Sequence, residues 1–442
     1  MKEYTYIDLF SGPGGLCTGF KSENFKPLIA VEWSDHTVKT YAKSQNAEIY
    51  ELNYLIANAG NLETVLQPTD KTCLIHGDIN KVSNELINEI LIKKFKTTTV
   101  DVVTGGAPCE SFSMAGQRLE DDPRNELFNN IIRIAHAVDC KYVMFENVPG
   151  LLTKKRAGVP AGQIKHVFEE FRRPYEDGVY FEPVSEDPSV FKCLAADYGV
   201  PQKRERLFIV GCNSKYKNHF SYPKKTHGPG RKFPYISVGE AFSYLPIVKS
   251  GEGFEETDYS TTYKKDFEEG KISEQLYEFL KFIYGETSNC SINNNSLNLV
   301  TYQKALNHRE KMIRRFENIQ QGEGMKSAVD RLISEGKKNI VDLYFPNKIY
   351  AARNRRLLFD QPSYTVTSHC LDEMIHPVEN RQLTPREVAR LQSFPDWYVF
   401  EGPYVKFHSD PEQDKYEQIG DAIPVLMAKA LAKSLYEALE KM

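Results

Sequence analysis

The sequence predicts an α/β fold: a doubly wound, mostly parallel sheet with a second, smaller lobe. Three observations carry this expectation. Short apolar strands alternate with helical stretches over residues 6–212, the rhythm of strand–helix–strand units. Several of those strands end in glycine turns or acids, where an open α/β sheet places its ligands. The rhythm then stops, and residues 213–375 change composition before an ordinary helical pattern resumes. At 442 residues the chain is too long for one small domain. The expected division is 1–212, 213–375, and a segment 376–442 that returns to complete the first domain.

The expected strands are Tyr6–Leu9, Lys26–Val31, Thr72–His76, Val100–Thr104, Tyr142–Glu146 and Arg206–Gly211. A helix is expected over Asn125–Ala137, with apolar Leu127, Phe128, Ile131, Ile132 and Ile134. In Leu383-Thr-Pro-Arg-Glu387, a Thr cap, a Pro at the first helical position and a Glu three residues after the cap mark a helix start. The last helix is expected over Ile423–Leu439.

Between these blocks the charge shifts. Residues 251–300 carry 10 acidic and 4 basic side chains, whereas 301–360 carry 13 basic and 7 acidic. His308, Arg309, Lys311, Arg314 and Arg315 form one basic cluster, read either as a DNA-facing surface or as a solvated helix face. Arg353, Arg355 and Arg356 form another. The whole chain has a formal charge of −4, which argues against a wholly basic coat but not against a local patch for nucleic acid. None of the eight cysteines falls in a C-x-x-C pair, so no metal is expected and the thiols read as reduced in a cytosolic chain. The N-terminus does not read as a signal peptide and no stretch reaches about 18 apolar residues, so no membrane association is expected.

The candidate chemistry lies at the strand ends. Tyr6–Leu9 runs into Phe10-Ser-Gly12-Pro-Gly14-Gly15-Leu16, where glycines allow close backbone approach to a ligand. The spacing departs from G-x-G-x-x-G, and a purely structural turn is the alternative. Glu32 closes the second strand at a place suited to ribose hydroxyls, with Trp33 beside it to cover an adenine face. Asp78-Ile79 follows the third, where Asp78 is placed to accept from an adenine amino group. Three such ends point to a nucleoside cofactor, and the absence of a G-x4-G-K-[ST] stretch argues against phosphate-loop ATP use.

Val100–Thr104 ends in Gly105-Gly-Ala-Pro108-Cys109-Glu110-Ser. Cysteine is often a small buried hydrophobe, but glycine and proline here build a loop, and a thiolate in it is a nucleophile. The polar stretch after it, through residue 124, reads as a lid. Tyr142–Glu146 ends in a carboxylate. Gln202, Arg204 and Arg206 alternate onto one face, where guanidiniums suit phosphate or base oxygens, or else pair with sheet-edge carboxylates.

In order, Asp8-Leu-Phe-Ser-Gly-Pro-Gly-Gly, Glu32-Trp33, Gly77-Asp78-Ile79, Gly106-Ala-Pro-Cys-Glu-Ser-Phe-Ser, Asn125-Glu-Leu-Phe, Glu146-Asn-Val, Gln202-Lys-Arg-Glu-Arg, Arg381-Gln-Leu-Thr-Pro-Arg-Glu-Val-Ala-Arg-Leu-Gln-Ser-Phe-Pro and Gln418-Ile-Gly-Asp-Ala-Ile-Pro together resemble the DNA (cytosine-5)-methyltransferases. The match covers roughly 4–212 and 376–440, and the ordered set is very specific. The resemblance implies a Rossmann-like S-adenosylmethionine-dependent methyltransferase acting on double-stranded DNA. It implies a cofactor site at Phe10, Gly12, Gly14, Gly15, Leu16, Glu32, Trp33, Asp78, Ile79, Pro108, Asp421 and Ala422. Cys109 matches the nucleophile, Glu146 the acid at cytosine N3, Arg206 a contact to the ring oxygen, and Arg204 a neighbouring active-site or phosphate arginine.

The 213–375 lobe is, by the same resemblance, the target-recognition region. Ser113, Gln117, Arg118, Arg353, Arg355 and Arg356 are the expected DNA contacts. A restriction–modification role implies a monomer in the bacterial cytoplasm, at the nucleoid, beside a separately acting cognate endonuclease. Two positions depart from the family: Glu110 stands where Gln is common, and Asp421 where Asn is the rule. The alternatives are a tRNA methyltransferase of the same class and an inactive DNA-binding relative. The first usually has a much smaller variable lobe and a Cys-Phe-Thr stretch in the last third, and neither feature is seen; intact Cys109 and Glu146 count against the second.

Overall fold

The apolar strands assemble around Tyr4–Leu9. In the computed structural model, which describes residues 2–108, 122–175, 177–259, 261–285, 299–406, 410 and 412–442, nine strands form one sheet. They are β1 (Tyr4–Leu9), β2 (Phe25–Glu32), β3 (Glu48–Glu51), β4 (Cys73–His76), β5 (Val102–Gly105), β6 (Tyr142–Asn147), β7 (Phe181–Pro183), β8 (Lys192–Leu194) and β9 (Glu205–Asn213). The order is β3-β4-β2-β1-β5-β6-β9-β7, with β8 on β9. The ladders from β3 to β6 are parallel, and β9 runs antiparallel to β6, β7 and β8. Strands buried on both faces read as near-continuous apolar runs, which is why Ile29–Val31 and Leu207–Val210 are legible as strands.

All six expected strands are present, and β3, β7 and β8 are additional. Each of these three is only three or four residues long, too short for periodicity to mark. The helix expected over 125–137 begins later, at Asn129, after a 3₁₀ turn at Pro123–Glu126. The last helix spans Val425–Leu439. Among the described residues no helix is long and apolar enough to cross a membrane.

The chain forms two units: residues 1–194, 205–224 and 427–442, and residues 195–204 and 225–426. These bounds differ from 1–212, 213–375 and 376–442. The 376–442 segment is divided, because only its final helix joins the first unit. There Tyr4 Oη donates to Glu440 at 2.7 Å and Tyr436 packs edge-on against Tyr4. Residues 195–204 leave the first unit because Lys203 N donates to Ser363 O at 2.9 Å and Gln202 accepts from Val366 N at 2.8 Å. Such pairings between segments far apart in the chain leave no mark in local composition.

The second unit buries arginines rather than excluding them. The expected capping box exists: Thr384 caps a helix over Pro385–Leu391, and Glu387 N donates to Thr384 Oγ1 at 3.1 Å. Glu387 also accepts from Arg381 at 2.7 and 2.8 Å, both side chains being buried. Burial alone raises the Glu387 carboxyl; the Arg381 charge and hydrogen bonds, with His376 and Thr384 N, outweigh it and bring the pKa down from 4.5 to about 2. A carboxyl depressed in the folded state contributes stability above its unfolded value and loses it as pH falls through the folded value. Thermal unfolding from pH 6 to 2 should therefore reveal a loss of about 3 kcal/mol from this group between pH 4.5 and 2. Glu387→Gln should be less stable at pH 6 and flatter across that window.

Candidate active site

The sheet reverses its winding between β1 and β5. Strands β2, β3 and β4 lie to one side of β1, and β5, β6 and β9 to the other. This switch point is where an open α/β sheet leaves a crevice. Leu9 pairs with Gly105, so the glycine turn and the entry to the Cys109 loop leave adjacent strands side by side. A Cβ on Gly105 would come within 2.6 Å of Ile131 Cδ1, so a side chain there would force Ile131 to move.

The glycine turn is shaped by its backbone. Phe10, Gly12 and Gly14 all have positive φ, at 54°, 53° and 92°, before α1 (Gly15–Lys21) begins. Gly12 has open space where a side chain would stand. Gly15 and Leu16 are buried, and Phe10 packs against the core. Gln45, the last residue of α2 (Asp35–Gln45), supports the turn from beneath: its Nε2 donates to Thr18 Oγ1 at 2.8 Å and its Oε1 accepts from Cys17 Sγ at 3.3 Å. No sequence signal marked Gln45.

Glu32 ties the turn to β2. It accepts from Gly12 N at 2.9 Å, Trp33 N at 2.9 Å and Ser34 N at 3.1 Å. Burial raises its pKa against the pull of those three donors. A carboxylate has about four acceptor sites, so one remains for a ligand hydroxyl. Trp33 is 57% exposed at the next position. Asp78 caps the turn at Ile79–Lys81, its Oδ1 accepting from Asn80 N at 3.0 Å, and Ile79 is buried below.

Two buried polar atoms flank the turn with no hydrogen-bond partner among the described residues: Ser11 Oγ and Asp8 Oδ2. Asp8 Oδ1 accepts from Thr104 Oγ1 at 3.0 Å. Burial, with Glu32 nearby, pushes the Asp8 carboxyl up to about 8 although the Thr104 bond pulls the other way, so it stays protonated at neutral pH. The open face at Gly12, the spare acceptor on Glu32 and the orphaned polar atoms fit a polar nucleoside-type group. Glu32→Ala should weaken cofactor binding by about 1–3 kcal/mol and loosen the turn, read by calorimetry alongside a melting curve. Unchanged affinity in both Glu32→Ala and Asp78→Ala would overturn this pocket.

On the other side of the switch point, Glu146 on β6 meets Arg206 on β9, with Arg206 Nε 3.1 Å from Glu146 Oε1 and both side chains mostly buried. Arg206 Nη1 also donates to the Glu205 carbonyl at 2.8 Å. A Cβ on Gly106 would stand 3.0 Å from Glu146 Oε2, so the carboxylate lies directly against the backbone three residues before Cys109. Ala107 is buried and Pro108 half-buried at the threshold of that segment. Cys109, Glu110, Ser113, Gln117 and Arg118, and all but the last three residues of the lid expected through residue 124, lie outside the described residues; its end, from Asp122, caps and enters the 3₁₀ turn at Pro123–Glu126.

Other expected site residues fall in the second unit. Arg204 is 1% exposed and donates to the Val366 carbonyl, which leaves no surface guanidinium for a phosphate. Asp421 is exposed and accepts from Gln413 Nε2 at 2.7 Å, while Ala422 is buried in that unit's own core. Arg353 is exposed, 3.3 Å from Asp372, and Arg355 lies over the Tyr364 ring at 4.1 Å. The expectation that Arg356 contacts DNA is corrected. It is buried, and its guanidinium donates to the carbonyls of Ile319, His376, Glu379 and Phe316 and to Asn380 Oδ1. The 308–315 cluster does not lie on one face: Arg309, Lys311 and Arg314 are exposed, with Arg314 paired to Glu310 and Glu317, as the solvated-helix reading has them, but Arg315 donates to Tyr344 O and His308 is buried.

The model of the C-5 cytosine-specific DNA methylases matches residues 4–59 and 70–437. The chain belongs to that family. It is therefore an S-adenosylmethionine-dependent cytosine-5 methyltransferase. Among relatives of this family it is 29% identical over 432 residues to the Type II methyltransferase M.DdeI of Desulfomicrobium norvegicum, covering 97% of this chain and 88% of the relative. It is 28% identical over 438 residues to the Type II methyltransferase M1.HphI of Haemophilus parahaemolyticus, covering 98% and 86%. A solved structure of a putative prophage-encoded DNA modification methyltransferase from E. coli shares the fold, with a TM-score of 0.68 at 22% identity over 99% of this chain and 100% of that one.

Proposed function

We propose that this methyltransferase modifies C5 of a flipped-out cytosine within a specific double-stranded DNA sequence, through a covalent Cys109 adduct at C6, as the modification enzyme of a restriction–modification system. The observation that carries the reading is the Glu146–Arg206 pair, set against Gly106 three residues before Cys109 and beside the glycine turn. The Type II methyltransferase names of the relatives support the restriction–modification role.

Cytosine C5 is a poor nucleophile. The Cys109 thiolate adds to C6, forming an S–C bond and moving the ring's π electrons toward C5 and N3. Glu146, carrying a proton, donates it to N3 and so neutralises the negative charge that develops there. Arg206 holds the Glu146 carboxylate and offers its remaining N–H groups to the ring oxygen. S-adenosylmethionine supplies an electrophilic methyl group when bound. Once C5 is methylated and S-adenosylhomocysteine released, a base would remove the C5 proton, the C5–C6 double bond would re-form, N3 would return its proton to Glu146 and the Cys109 thiolate would depart. The reacting atoms sit inside the base stack, so the nucleotide must be extruded first.

Radiolabelled methyl transfer to duplex DNA and to tRNA, side by side, tests this, with methylome sequencing of expressing cells to locate the modified cytosine. Label in DNA at one sequence context is expected. Label in tRNA alone, or in neither, would overturn the reading.

A further inference from the structure

One ionisable side chain at the carboxyl edge of the sheet has no part in the chemistry above. His76 ends β4, in register with Glu32 on β2 and Glu51 on β3. Its Nδ1 is 2.9 Å from Glu51 Oε1 and its Nε2 is 3.1 Å from the Trp33 carbonyl oxygen. Carboxylate and carbonyl are both acceptors. A neutral imidazole carries one N–H and can satisfy only one of them, so both bonds are made only by the doubly protonated ring. Trp33 N meanwhile donates to Glu32 Oε1 at 2.9 Å. The backbone on both sides of Trp33 is thus held, by Glu32 before it and His76 after it, while the indole stands exposed.

We propose that His76, as an imidazolium bridging Glu51 and Trp33, is a positioning residue for the cofactor's adenine, and that its deprotonation weakens cofactor binding. The proposal rests on the reading of Trp33 as the adenine-covering side chain. The groups facing His76 are Glu51 from β3, Glu32 and Trp33 from β2, and Asp35 from the start of α2. Asp35 is itself engaged by Lys39 and faces His36. Every ionisable group in that set acting directly on His76 is an acid. Burial pulls the ring's pKa down, but the Glu51 hydrogen bond and charge, the Trp33 carbonyl and Asp35 outweigh it and hold it above 6.5. The bridge is therefore complete below the ordinary histidine range and is lost as pH rises through the raised value. Cofactor affinity should fall across that same window.

The test uses the full chain. Trp33 and Trp397 are its two tryptophans, and Trp397 lies in the core of the second unit, so Trp397→Phe leaves Trp33 as the sole tryptophan without altering a residue of the first unit, its fold being checked by a melting curve. S-adenosylhomocysteine is titrated from about pH 5.5 to 9 by Trp33 fluorescence and by calorimetry, and the His76 ring is titrated by NMR without ligand. The dissociation constant should rise roughly three- to tenfold with a midpoint that tracks the His76 signal. Glu51→Gln should move both midpoints to lower pH together, which titration of the ligand's own amino group cannot do. His76→Gln should bind weakly and without this pH dependence. A Trp33 response with affinity flat in pH, or a midpoint unmoved by Glu51→Gln, overturns the proposal alone. Calorimetric binding with Trp33 fluorescence silent overturns the adenine reading and the proposal with it.

Discussion

Replacing Cys109 with serine should abolish methyl transfer, on the order of 10³-fold or more, while duplex DNA still binds. Serine keeps the size and a hydroxyl but not a group that ionises near neutral pH, so addition at C6 loses its nucleophile. The surrounding architecture should survive, because the neighbours that shape this strand end hold their places independently. Gly105 is set by Ile131, Gly106 by the Glu146 carboxylate, and Glu146 by Arg206. A duplex carrying 5-fluorocytosine at the target should form an adduct stable to denaturing gels with the cysteine enzyme only. Fluorine cannot leave as the C5 proton does, so the Cys109–C6 bond persists after methyl transfer. Near-normal turnover by the serine variant, or an adduct formed without Cys109, would remove Cys109 from the reaction.

The second large effect concerns Arg356, and it is an effect on folding. Arg356→Met should destabilise the second unit by at least about 3 kcal/mol, since removal of the guanidinium leaves several buried acceptors unpaired at once. Two of these, the carbonyls of Phe316 and Ile319, lie at and just beyond the end of the helix over Glu310–Glu317, where the backbone has few partners of its own. Burial lowers the Arg356 pKa to about 10, which still leaves it charged at neutral pH. The folded fraction of the variant should bind DNA with unchanged affinity and an unchanged salt slope. Unfolding by urea, with DNA binding measured as a function of salt on the native protein, separates the two roles. A normal unfolding curve, together with a log–log salt slope made shallower by about one for each phosphate the protein no longer neutralises, would restore Arg356 to the DNA surface.

Arg356 also shows how sequence and structure divide the information. From the sequence, Arg353, Arg355 and Arg356 are equivalent members of a basic run. In the fold they separate into an exposed arginine paired with Asp372, one stacked over Tyr364, and one buried among carbonyls. Positive charge is legible in a sequence; the acceptors that surround it come from residues 316–319 and 376–380 and are not.

What the sequence by itself determined is the reaction class, the sheet and the strand ends. Buried parallel strands must be apolar, turns at positive φ favour glycine, and the residues that close those strands fall at readable positions, so Glu32, Asp78 and Glu146 stood out. Only the tertiary structure decided which acceptors and donors each of those residues already serves. It turned Glu32 into a hub for three backbone N–H groups, placed Arg206 on Glu146, paired residues 195–204 with 363–366, and brought His76 between Glu51 and Trp33. The physical reason is range. Hydrophobic periodicity and turn chemistry act over a few neighbouring residues, whereas hydrogen-bond partners are assigned when strands distant in sequence are laid side by side.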